Sequence, residues 1–185
     1  MLRPGLSFLR PDVSSIATPR LLLRRLTLDD AELMLSIWTD PDFLRHVGDR
    51  GVQTVDQARD AIADGALLSY AEFGYGPYHV ALRDGTAIGV CGLYSRAELD
   101  HPDLGFAMLS PYRRQGYAYE AALAVLKSCH EDLDLHWLYA IVAPANKASR
   151  ALIEKLGMNY DRPVQLDGDD SVVSLYRLRL SEEEH

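Results

Sequence analysis

Two cysteines in 185 residues leave little room for a disulfide framework or a thiolate metal site. Cys91 falls in a strand-like run and Cys129 on the apolar stripe of an expected helix, so both read as buried thiols, and no metal is expected. Long hydrophobic runs are missing as well. No segment approaches the roughly 20 apolar residues of a membrane span. Arg3 and Arg10 interrupt the few apolar residues at the start, which breaks the continuous stretch of a secretory signal. The cytoplasm is therefore the expected compartment. Basic charge is also scarce: 19 lysines and arginines stand against 27 aspartates and glutamates, a net charge of −8. Non-specific binding to nucleic acid or an anionic membrane needs a basic surface that displaces counterions. Neither is an expected partner, and a cationic substrate suits the balance better. Internal repeats and an interdomain linker are absent too.

What is present is an ordinary globular composition, 48% hydrophobic and 25% charged, in a chain long enough for one sizeable core and short for two. Residues 1–17 show no period and carry Pro4, Gly5 and Pro11, which reads as an extended arm. One domain is expected over residues 18–180, followed by an acidic tail at 181–185, in a monomer or homodimer.

Within that domain, Leu21, Leu22, Leu23 and Leu26 suggest a first strand over 18–26, ended by Thr27 to Asp30, a helix cap and its partner three residues on. Ala31, Met34, Leu35 and Trp38 follow at i, i+3, i+4 and i+7, one face of a helix that Pro41 is expected to stop. Thr54 and Gln57 open a second helix with Ala58, Ala61 and Ile62 on one side. Asp84-Gly85 between two β-rich runs, 78–83 and 87–94, predicts a hairpin. A fourth strand is expected at 103–109. Ala118, Ala121, Ala122, Val125 and Cys129 then mark a third helix. The run 137–142 is continuous and apolar, as a central strand should be. A short helix follows from Asn146 to Gly157, and strands near 158–161 and 171–180 close the chain around an Asp167-Gly168-Asp169 turn. This order predicts an α/β single domain: a mixed, mostly antiparallel twisted sheet of about seven strands with flanking helices.

The most informative stretch runs from Asp103 to Ala118: a strand, a basic turn, a glycine, then directly a helix. The first amides of a helix lack internal partners and sit at the positive end of its dipole, so this order makes an anion site. Gly116 lets an anion approach the backbone, and Arg113 and Arg114 add forked donors suited to phosphate. The turn lacks the second glycine and the acid of a dinucleotide fold, and the Lys-Ser/Thr ending of a triphosphate loop. A diphosphate that undergoes no chemistry remains, with a merely solvated turn as the plain alternative.

Arg113-Arg114-Gln115-Gly116-Tyr117-Ala118 resembles the Q/R-x-x-G-x-G/A loop of the GNAT acetyltransferase superfamily. Asn146-Lys147-Ala148-Ser149 with Glu154-Lys155-Leu156-Gly157-Met158 is similar to the N-x-x-S-x-x-x-x-E-K-L-G-F block of the branch that acetylates ribosomal-protein N-termini, the RimJ/RimL-like branch. The opening TPRLLLRRLTLDD is also similar to that branch's start, so the resemblance covers roughly 18–180. The chain departs from the family's pattern at Ser110 and Pro111, where proline and an acid are common, and at Arg114, where the branch often has glycine.

The resemblance implies an acyl-CoA N-acyltransferase fold with acetyl-CoA as cosubstrate and an amine as acceptor, most favourably a protein or peptide N-terminus, with a small amine or a non-catalytic acyl-CoA module as alternatives. It implies a gap between the fourth and fifth strands that receives pantetheine. The cofactor-binding candidates are then Met108, Leu109, Arg113, Arg114, Gln115, Gly116, Tyr117, Ala118, Asn146 and Ser149. Amine acetylation needs a base for the attacking ammonium and a proton for the leaving thiolate. Asp103 is the first candidate base, acting directly or through water, with His101 second. Ser149 is the first candidate for the thiolate, with Tyr160 second. Each has a plainer counterpart: a surface aspartate, a helix-capping hydroxyl or asparagine, a packed aromatic. Aromatic surface for the acceptor is expected from Trp38, Phe43, Tyr70, Phe73, Tyr75 and Tyr78, with Gly74 to Pro77 as a lid.

Overall fold

The computed structural model describes residues 15–133, 135–166 and 171–180. Eight strands form one sheet in the order β1-β2-β3-β4-β5-β6-β8-β7. They are β1 (Ser15–Ala17), β2 (Leu21–Arg25), β3 (Pro77–Leu82), β4 (Ala87–Tyr94), β5 (Asp103–Met108), β6 (Trp137–Val142), β7 (Asn159–Gln165) and β8 (Val172–Arg179). Every neighbouring pair is antiparallel except β5 and β6. The eighth strand is β1, formed by the last three residues of the expected arm and paired with Leu22 to Arg24. The remaining arm residues, the 167–169 turn and the 181–185 tail lie outside the described residues.

Among the described residues six α-helices flank the sheet: α1 (Ala31–Trp38), α2 (Pro41–His46), α3 (Val55–Ile62), α4 (Leu68–Phe73), α5 (Tyr117–Asp132) and α6 (Lys147–Lys155). On one face α5 buries Ala121, Ala122, Val125 and Cys129 against Leu21, Leu23, Val80, Cys91, Leu93 and Leu104. On the other, Ala31, Met34 and Ile37 of α1 pack with Ala58 and Ile62 of α3 over Val90. Leu21 and Leu23 are fully buried while Leu22 between them is exposed, the period-two pattern of a sheet residue pair. No helix among the described residues is long and apolar enough to cross a membrane.

The cap signals hold. Thr27 and Asp30 form a capping box around a short 3-10 turn (Leu28–Asp30), and Thr54 and Gln57 form another at α3. Pro41 acts differently from the expectation. Helix α1 ends at Trp38, and Pro41 then opens α2, with Asp40 accepting hydrogen bonds from the Asp42 and Phe43 amides. Proline suits a first helical turn, where its missing N–H has no partner to lose. Beyond α3 the chain continues through a π-helical turn (Ala63–Leu67) into α4, which the single stripe of apolar residues did not mark.

Candidate active site

The parallel junction of β5 and β6 is the feature that opens the sheet. It holds a single register, Asp103 opposite Tyr139, with the Tyr139 amide donating to the Pro102 carbonyl at 2.9 Å. Beyond it the strands part. Main-chain groups alternate sides along a strand, so those of Phe106 and Met108 point the same way as Pro102, toward β6, with no ladder partner. A cavity of about 980 Å³ fills the opening, lined by Leu104 to Ala107 of β5 and by Ile141 to Asn146 at the end of β6 and just past it. Pro144, which has no N–H to donate, lies on that wall.

At the far end of β5 the chain turns through Ser110–Tyr112, a short 3-10 turn, and enters α5. The first intrahelical bond runs from the Glu120 amide to the Gly116 carbonyl at 3.0 Å, so the amides of Tyr117, Ala118 and Tyr119 carry no helical partner. Gly116 has φ +81°, and a β-carbon there meets the Arg20 guanidinium at 3.3 Å. Arg114 has φ +59°, the one positive value outside glycine among the described residues. Glycine is the residue that adopts such a φ without strain.

The side chains around this entry are largely occupied. Arg113, expected to offer its fork to phosphate, instead donates from Nε to the Met108 carbonyl at 2.9 Å and pairs with Asp40 at 2.7 Å and Asp42 at 2.8 Å. Its guanidinium ties β5 to α2. Gln115 donates to the Pro111 carbonyl at 2.7 Å. Arg20, which the sequence did not single out, pairs with Glu120 at 2.6 Å, donates to the Gln115 carbonyl at 3.0 Å and stacks on Tyr117. Glu120 also accepts from Thr18 at 2.6 Å, so the turn before β2 is fastened to the first turn of α5. Arg114 stays exposed.

The opposite wall of the cavity carries side chains. Asp103 is 1% exposed and pairs with Arg96 Nε at 2.8 Å. Burial pushes its carboxyl above the usual range, against the opposing pull of Arg96 and Arg50. Tyr94 lies opposite Asp103 on β4, and its ring covers Gly105, where a β-carbon would come within 2.7 Å of it. Burial raises the Tyr94 hydroxyl to about 12, so it stays protonated at neutral pH. Ser149 also lines the cavity, and its amide donates to the Asn146 side chain at 3.1 Å. Asn146 thus caps α6.

The two reserve candidates stand apart from the cavity lining. His101 packs edge-on against Tyr139 with ring centroids 5.2 Å apart, and Tyr160 is 56% exposed and meets Tyr176 edge-on. Of the expected acceptor aromatics, Trp38, Phe43 and Phe73 line the cavity, while Tyr78 belongs to the core. The Tyr70 hydroxyl is buried, accepting from the Leu26 amide at 2.9 Å and donating to the Pro77 carbonyl. The expected lid is pinned instead. Arg25 donates to the Gly74 carbonyl, Ser69 to that of Tyr75 and the Leu93 amide to that of Gly76, at 3.0, 2.8 and 3.2 Å. Tyr94, Arg96 and Arg50 were missed because nothing in their spacing departs from a strand end and loops.

Known proteins share this arrangement. The chain is 27% identical over 144 residues to the uncharacterized N-acetyltransferase YoaA of Bacillus subtilis (strain 168), covering 77% of this chain and 81% of that protein. An acetyltransferase from Agrobacterium tumefaciens str. C58 superimposes with a TM-score of 0.76 at 26% identity, over 96% of this chain and 99% of that one. Fold alone links two more distant structures. RimL, a ribosomal L7/L12 alpha-N-protein acetyltransferase in complex with coenzyme A, gives 0.76 at 16% identity over 89% and 97% of the chains. The spermidine N-acetyltransferase from Vibrio cholerae, with CoA and spermine, gives 0.73 at 15% over 88% and 97%. The family described as acetyltransferase (GNAT) domain matches residues 20–159, three quarters of the sequence, and the chain belongs to the GNAT acetyltransferases.

Proposed function

We propose that the protein moves an acetyl group from acetyl-CoA to a primary amine by direct attack, and that the amine is the N-terminus of a protein or peptide. The observation that carries this reading is the junction at Asp103 and Tyr139, where one edge of β5 is left without a partner beside an α5 entry rich in free amides. An extended thioester arm fits that edge as a strand would, and its diphosphate fits the amides of residues 117–119.

In this reading Asp103 receives the proton of the attacking ammonium, directly or through water. Burial makes it a stronger base, and Arg96 holds it in place. The amine nitrogen bonds to the thioester carbon, the carbon–sulfur bond breaks, and Ser149 on the cavity wall gives its proton to the departing thiolate while taking the one that the new amide nitrogen sheds. A β5 amide near Met108 is suited to the carbonyl oxygen as its charge develops. Asn146 orients Ser149 by capping its helix.

Free-thiol release from acetyl-CoA with a panel of peptides and small amines tests the reaction. The expected result is release with an acceptor in the panel and none without; tight coenzyme binding with no release from any amine supports a non-catalytic module instead. Asp103→Asn is expected to lower kcat at neutral pH by roughly 100-fold and to leave the coenzyme Kd alone. A pH–rate profile superimposable on that of the unaltered protein places the base elsewhere.

A further inference from the structure

The charges at the acceptor side narrow the acceptor, on the basis of the acetyl-transfer reading above. We infer that the acceptor carries a carboxylate close to its reacting amine, and that the Arg50 guanidinium recognises it.

The chain as a whole is strongly acidic, but its cavity is not. Three arginines (Arg45, Arg50, Arg96) and three acids (Asp64, Glu72, Asp103) line it, so the lining is balanced while the chain carries −8. Two of the arginines are already engaged: Arg96 with Asp103 at 2.8 Å, and Arg45 with Asp42 at 3.8 Å. Arg50 faces no carboxylate within ion-pair distance among the described residues. It sits on the loop between α2 and α3, flanked by Gly48 and Gly51 with φ +109° and +69°, and its guanidinium lies 5.8 Å from the Trp38 ring centroid. An aromatic face of this kind restricts an arginine without neutralising it.

Arg50 lines the same cavity as Asp103, and its charge acts on Asp103 and on Tyr94, which face each other across β4 and β5. A group bound by Arg50 shares that cavity with an amine presented to Asp103. The planar fork of arginine matches a carboxylate with two parallel hydrogen bonds. Asp64 and Glu72 likewise hold no ion pair among the described residues, and they supply the opposite sign for the ammonium group as it enters. An acceptor with both charges uses both features. A polyamine, cationic at every nitrogen, leaves Arg50 opposed by like charge.

Two sources share this chemistry: the α-carboxylate of a free amino acid, and the side-chain carboxylate of the second residue of a peptide. The test measures thiol release with five acceptors: a peptide amide with alanine first and glutamate second, its counterpart with glutamine second, free alanine, alaninamide, and spermidine. We expect a KM about fivefold lower for the carboxylate member of one pair, the scale of an exposed ion pair, and weakening as salt is raised. Preference within the peptide pair assigns the side-chain carboxylate; preference for free alanine over alaninamide assigns the α-carboxylate. Arg50→Gln should erase the preference through KM, and Arg50→Glu should transfer it to a peptide with lysine second. Release with no charge preference in either pair, a preference that survives Arg50→Gln, or spermidine as the best acceptor overturns the inference and leaves the acetyl-transfer reading standing. No release from any acceptor overturns both.

Discussion

The two ends of the site are built from different materials. At the entry to α5 the ligand-facing groups are main-chain amides, and the side chains around them are tied to one another: Arg113 to Asp40 and Asp42, Arg20 to Glu120 and the Gln115 carbonyl, Gln115 to Pro111. At the acceptor side the groups are side chains, and Arg50, Asp64 and Glu72 hold no ion pair among the described residues. In the proposed reading the first end is a cradle for the coenzyme, and the second is the surface that meets the acceptor.

The largest break in that contrast comes from the backbone end. Gly116→Asp places a β-carbon at φ +81° and a negative charge beside the free amides, and should weaken coenzyme binding in calorimetry by roughly 100-fold. An unchanged Kd contradicts the cradle.

Next comes the tie between β5 and α2. Arg113→Ala leaves Asp40 and Asp42 without their shared cation and should cost about 1–2 kcal/mol, a fall in Tm of about 3–6 °C. A tenfold loss of coenzyme affinity at unchanged Tm reverses the assignment and makes the guanidinium a ligand.

Acid titration sharpens the picture of the tied carboxylates. Burial works against the charge of Asp40 and Glu120, but the Arg113 hydrogen bond and the α2 amides at Asp40, and Thr18 and Arg20 at Glu120, outweigh it and hold both carboxyls below the ordinary range. A group whose folded pKa is depressed adds stability above its unfolded value, about pH 4, and loses it as the pH falls through the folded value. Tm should drop below about pH 4, and Arg20→Ala should flatten that drop. An identical slope in the variant removes Arg20 from the linkage.

The smallest effect is expected at Arg114. Glycine accepts φ +59° freely, so Arg114→Gly should raise stability by about 1 kcal/mol or less. A lowered Tm means the arginine makes a contact that offsets its strain.

The same contrast explains how much was legible beforehand. A main-chain site needs a particular residue wherever the backbone turns sharply, so Gly116 announced itself by its place between strand and helix, while the Asn146 block was found through its resemblance to a family motif. Capping boxes at Thr27 and Thr54 were readable for the same reason, being contacts between residues three apart. Pro41 was readable as punctuation but not as the opening of α2, because a proline after a helix also suits the first turn of the next one. Strand β1 was hidden because three residues with no alternation carry no period; their partner on β2 supplies the reason they are extended.

By itself the sequence determined the alternation that buries Leu21 and Leu23, the stripe that seats α5, and the strand, glycine and helix order that makes an anion site. Those depend on neighbours within a few positions, where local backbone geometry decides. Only the tertiary structure decided that Arg113 reaches Asp40 and Asp42, that Arg96 pairs with Asp103, and that Arg50 lines the cavity with no ion pair among the described residues. Charges interact through space and fall off with distance, not with separation along the chain, so their partners are settled only when the sheet brings them together.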